Sequence, residues 1–82
     1  MKKDYFSAVQ YFIKGAELGD TDAQTELGLC YLYGEGIFKD ESLAFDWFFK
    51  AANAGHPTAQ YFLGTYYESN GQFETASEWL SI

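Results

Sequence analysis

From Asp4 to about Leu18 the apolar residues Tyr5, Ala8, Val9, Phe12, Ile13 and Ala16 recur at steps that place them on one face of a helix. Gly19 ends that pattern, as a residue that tolerates positive φ. Asp20 or Thr21 then caps a second helix running to about Tyr33, with Ala23, Leu27, Cys30 and Tyr31 on its stripe and Gly34-Glu35-Gly36 as its stop. Asp40 is an N-cap for a third helix, predicted to turn Leu43, Ala44, Trp47, Phe48 and Ala51 inward and to close at Gly55. His56 and Pro57 start a fourth, where proline suits the first turn because its missing N–H would have no helical partner. Leu63, Tyr66 and Tyr67 continue its core face. A fifth, after Asn70 and Gly71, carries Phe73, Ala76, Trp79 and Leu80. The prediction is an all-α chain of about five helices, short loops making them antiparallel neighbours.

The pattern also repeats at an offset of 36 residues, since Ala23, Gln24, Leu27, Gly28 and Tyr31 recur as Ala59, Gln60, Leu63, Gly64 and Tyr67. Asp4, Ala8, Phe12, Lys14, Ala16 and Gly19 recur in the same way as Asp40, Ala44, Phe48, Lys50, Ala52 and Gly55. A period in this range signals stacked units whose apolar faces are buried by their neighbours. Gly28 and Gly64 lie in mid-helix, where glycine costs about 1 kcal/mol against alanine. Close approach of the following helix would offset that, with Trp47 and Phe48, then Trp79, filling the space of the absent side chain.

Ala23 with Leu27-Gly28, Tyr31, Gly34-Glu35-Gly36-Ile37, Asp40, Ala44, Trp47-Phe48, Lys50-Ala51-Ala52, Gly55 and Ala59 resembles a full Sel1-like repeat, a relative of the tetratricopeptide repeat with a longer hairpin turn. The resemblance implies a right-handed α-solenoid of antiparallel helix hairpins. It divides the chain into a half repeat at 4–19, a full repeat at 21–55 and an incomplete repeat at 57–82. In this last unit the step from Tyr67 to Ala76 is four residues shorter than that from Tyr31 to Ala44, and Gly71-Gln72-Phe73 resembles the shorter tetratricopeptide turn. The first helix matches the second helix of a repeat, and the fifth stops short of the equivalent of Gly55. Trp79, Leu80 and Ile82 at one end and Tyr5 or Val9 at the other are therefore expected to be exposed, as in a fragment of a longer array or a short protein that forms homo-oligomers through its ends.

Composition narrows the chemistry. The 82 residues are 48% apolar and 21% aromatic, too hydrophobic for disorder. Twelve acidic residues against five lysines and no arginine give a net charge of −7, which argues against nucleic acid or an anionic membrane as partner and favours a basic protein surface. No apolar run approaches the roughly 18 residues of a membrane span, and the start carries no signal-peptide core, so a cytoplasmic protein is expected. The single cysteine, Cys30, excludes an internal disulfide and reads as a small buried hydrophobe. His56, the only histidine, reads as a turn residue with no carboxylate beside it in sequence. Asp20 with Asp22 and Asp40 with Glu41 stand at helix starts, where negative charge meets the helix dipole favourably. No catalytic constellation, phosphate loop or metal signature stands out, and the expectation is a non-enzyme without cofactor or metal.

In the families that the chain resembles, first helices of successive hairpins line a concave groove that meets a peptide or protein. Carried onto this sequence, the groove would present Asp22, Thr25, Leu29, Leu32 and Tyr33 from one helix, then Thr58, Tyr61, Thr65 and Glu68 from the next. Leu29, Leu32, Tyr33 and Tyr61 would be anchors and Asp22 with Glu68 would favour a basic partner. Against this stands the simpler reading that Leu29 and Leu32 complete the core. The resemblance implies a scaffold or adaptor. Small size and acidity fit instead an inhibitor or immunity protein that blocks a basic enzyme or toxin surface.

Overall fold

The computed structural model describes residues 4–69, and within them the chain forms four helices: α1 (Tyr5–Glu17), α2 (Thr21–Tyr33), α3 (Glu41–Asn53) and α4 (Pro57–Ser69). The fifth helix expected from Phe73, Ala76, Trp79 and Leu80, and the exposure expected of Trp79, Leu80 and Ile82, lie outside the described residues. Each of the first three helices begins on an aspartate whose side chain accepts a backbone N–H that the helix leaves unpaired. Asp4 accepts from Ser7, Asp20 from Asp22 and Ala23, and Asp40 from Leu43. Pro57 opens α4 as expected.

The Ser7 backbone N–H at 3.0 Å, and then its hydroxyl at 2.7 Å, hold the Asp4 carboxyl below its ordinary pKa of 3.8. A carboxylate depressed by folding stabilises the fold above its unfolded pKa, and that contribution is lost as pH falls through the lower folded value. The first turn of α1 is thus expected to open in acid below pH 3.8. Asp4→Asn keeps the cap but removes this titration, so amide hydrogen exchange at the start of α1 should lose part of its acid dependence.

Successive helices pack as α1 on α2, α2 on α3 and α3 on α4, and the core falls into two clusters that are copies of one another. The first gathers Val9, Ala16, Ala23, Leu27 and Cys30; the second gathers Ala44, Phe48, Ala51, Ala52, Ala59 and Leu63. Ala16, Ala23 and Leu27 in the first correspond to Ala52, Ala59 and Leu63 in the second, so the 36-residue offset is the repeat of this packing. Tyr31 touches both clusters.

The recurrent glutamines also have a structural role. Gln24 Nε2 donates to the Ala16 carbonyl and Gln60 Nε2 to the Ala52 carbonyl, each at 3.2 Å. Both bonds cross the turn between repeats and satisfy carbonyls near the end of the preceding helix.

Gly28 is in mid-helix because a Cβ there would lie 2.7 and 2.9 Å from the Phe48 ring and 3.1 Å from the Ala44 carbonyl oxygen. The Phe48 ring is the side chain nearest that space. Trp47, expected beside it, reaches back over the first cluster, because it stands one residue, or about 100°, round α3. The matching contact of Gly64 with Trp79 lies outside the described residues.

Two further expectations need correction. Leu43, predicted to face inward, is 40% exposed; it stands in the first turn of α3 and belongs to neither core cluster. Val9, predicted to be exposed, is 1% exposed, because it packs in the first cluster, against which Ile37 also rests. Tyr5, by contrast, is 38% exposed.

Candidate protein-interaction surface

The surface expected to meet a partner is built on α2 and α4, the first helices of successive hairpins. Asp22, Tyr33, Thr58, Tyr61, Thr65 and Glu68 are exposed, and Tyr33 and Tyr61 are both 61% exposed. Thr25 does not belong to this surface: it is 2% exposed and its hydroxyl donates to the Thr21 carbonyl of the preceding turn at 2.8 Å. Thr65 makes the same local bond to the Tyr61 carbonyl but stays in solvent. Leu29 and Leu32 are half-buried and pack against the α3–α4 cluster. Much of their apolar area therefore serves the core, leaving the two tyrosines as the large exposed side chains of the nine.

One contact brings α2 and α4 together at the surface. His56 Nε2 lies 2.7 Å from Asp22 Oδ1, joining the turn before α4 to the first turn of α2. His56 Nδ1 accepts the Ala59 N–H at 3.5 Å, so the same ring helps to cap α4. His56 has no carboxylate beside it in sequence, and the fold brings one to it. The partner is 34 residues away in sequence, and the signal was the repeat itself, because position 56 corresponds to Asp20, two residues from Asp22.

Cys30 is buried, and burial first, then the charges of Glu35 and Glu26, push its thiol above the ordinary value. A thiol so placed is a poor nucleophile at neutral pH. Among the described residues no group of His, Cys, Asp and Glu is arranged to hold a metal ion, and no helix is long and apolar enough to cross a membrane.

A stack of capped hairpins, copied at a fixed offset and stapled by an equivalent glutamine, defines a helical-repeat solenoid. Residues 1–20, 21–56 and 57–77 each match the Sel1 repeat, and the chain belongs to the Sel1 repeat family. A Sel1 repeat protein from Oxalobacter formigenes, known from its crystal structure, superposes with a TM-score of 0.91 at 37% identity, over 99% of this chain and 34% of its own. Curated relatives include the chitin synthase regulator SKT5 of Saccharomyces cerevisiae, 49% identical over 70 residues, which are 80% of this chain and 10% of that protein. Chitin synthase regulatory factor 4 of Schizosaccharomyces pombe is 36% identical over 84% of this chain and 11% of its own length. Chitin synthase regulatory factor 1 of the same organism is 36% identical over 83% and 15%. The chain thus spans 10% to 15% of the length of these regulators. Sel1 repeats mediate protein–protein interaction, and these relatives are regulators.

Proposed function

We propose that this chain is a non-catalytic adaptor segment that binds a protein or peptide partner across the exposed faces of α2 and α4. Tyr33 and Tyr61 carry the reading: both stand well out of the packed surface on successive first helices, and exposed tyrosine is a common anchor at interfaces. Asp22 and Glu68 are exposed on the same two helices and would favour basic side chains on the partner. The kinship with chitin synthase regulators supports an adaptor over an inhibitor, and it points to a chitin synthase, or a protein that acts on one, as the partner to try first.

The test is co-precipitation of the chain with a chitin synthase, and the same measurement with Tyr33→Ala/Tyr61→Ala. Loss of two anchors at about 1 kcal/mol or more each is expected to lower affinity by at least about tenfold. Helical circular dichroism should be unchanged, since neither ring belongs to a core cluster. Retained affinity in the double variant would move the partner off this face.

A further inference from the structure

A second surface lies where the start of α1 meets the hairpin turn between α2 and α3. Phe6, Val9 and Gln10 on α1 and Ile37 and Phe38 on the turn line an open cleft of about 580 Å³, within the range of clefts that seat a bulky group. Val9 is buried, whereas Phe6 is 67% and Phe38 95% exposed. None of the described lining residues is ionisable, and none belongs to the tyrosine-bearing surface of α2 and α4.

A preceding repeat would leave Phe6 in the open. Phe6 and Gln10 correspond to Ser42 and Asp46 of α3, and α3 has a second helix, a first helix and a hairpin turn before it. With all three in place, Ser42 and Asp46 are still exposed. At these solvated positions α3 carries small or charged residues, and α1 carries larger, uncharged ones. The turn, for its part, is a firm mount for Phe38. Its ends are tied by the Glu35 N–H to the Cys30 carbonyl at 3.0 Å and by the Asp40 N–H to the Tyr31 carbonyl at 2.9 Å, and Gly36 rests directly on the Tyr5 backbone. Phe38 is therefore held in solvent on a backbone with little freedom left to lose on docking.

An apolar knob beside an apolar hollow makes a patch complementary to itself. Rotation about a two-fold axis brings Phe38 of each copy to the cleft of the other, the pairing that an isologous contact requires. Charge agrees with this. A chain of net charge −7 repels its copies where acidic faces meet, but this lining is uncharged, and the turn carries Glu35 before Gly36 and Lys39 after Phe38. The same two-fold rotation sets each lysine against the other copy's glutamate.

We propose that this cleft is the contact between two copies of the chain, with Phe38 of each copy seated against Phe6 and Ile37 of the other and Lys39 facing the other's Glu35. The dimer presents two α2–α4 faces at once, so a partner with two matching sites is held more tightly than either face holds it alone.

The experiment is sedimentation velocity of the whole 82-residue chain between about 10 µM and about 1 mM, the range suited to a small transient contact. The weight-average mass is expected to rise from one chain toward two. Phe38→Ser, and Phe6→Ser, which installs the residue found at the corresponding position of α3, should each weaken the dimer at least about tenfold. Both should keep their helical circular dichroism, since neither ring belongs to a core cluster. Lys39→Glu should weaken the dimer and Glu35→Lys/Lys39→Glu should recover it, while Tyr33→Ala/Tyr61→Ala should leave it unchanged, which separates this contact from the surface proposed above. A monomer throughout that range, a dimer indifferent to Phe38→Ser or Phe6→Ser, no recovery on charge exchange, or a dimer that the tyrosine substitutions dissolve would overturn the proposal.

Discussion

Phe48→Ala is expected to cost about 3–5 kcal/mol, the range for removing a fully buried aromatic side chain. Phe48 is 0% exposed and is the largest of the fully buried residues. Its ring stacks on Phe62, meets Phe45 edge-on with centroids 5.3 Å apart, and covers the bare backbone of Gly28. Three helices therefore lose a shared contact at once. Because α2 presents the bare backbone of Gly28 at this contact, that residue has no side chain to move into the void. A chain of this length has a total stability of only about 4–12 kcal/mol, so the variant loses about a quarter of it or more. Urea unfolding followed by circular dichroism measures the loss. A cost below about 1.5 kcal/mol, the usual limit for a volume-conserving swap, would mean that Phe45 and Phe62 collapse into the space.

Gly36→Ala should cost about 3 kcal/mol, from two causes that add. Gly36 has φ of +74°, a conformation that costs an L-residue about 1–2 kcal/mol. A Cβ there would also run into the Tyr5 carbonyl oxygen, and would lie 2.5 Å from the carbonyl carbon and 2.9 Å from the Tyr5 Cβ. These are mostly backbone atoms at the start of α1, so relief requires α1 or the whole hairpin turn to move, and Ile37 then leaves the first cluster. Gly55→Ala is the control: its φ is +95°, but a Cβ would meet nothing within 4 Å, so only the conformational cost remains. At about 4–8 °C per kcal/mol for a domain of this size, melting should fall by about 12–24 °C at position 36 and about 4–16 °C at position 55. Equal drops at the two positions would remove the close approach of turn and helix from the account.

The elements were legible because each carries its own local signals. Asp20, Asp40 and Pro57 fix helix starts by chemistry that acts within one turn, and the repeat offset identified the residues that would share a core. What the periodicity did not give was direction within a stripe. Leu43 and Val9 both sit on apolar faces, and only the positions of α2 and of the α2–α3 turn decide that one is half in water and the other covered. The nine residues placed on α2 and α4 were chosen by family position, which cannot tell a buried threonine from one in solvent; Thr25 and Thr65 make the same bond to their own helix and differ in burial alone. Phe6 and the His56–Asp22 pair went unnoticed because their meaning lies in comparison across repeats, where a substitution matters more than a recurrence.

The equivalent glutamine bonds across the two inter-repeat turns have a geometric consequence. A bond of 3.2 Å ties the second turn of one helix to the end of the one before it, and Gln24 and Gln60 make it to equivalent carbonyls. Where the same tie recurs at every inter-repeat turn, each added unit is held to its neighbour in the same way.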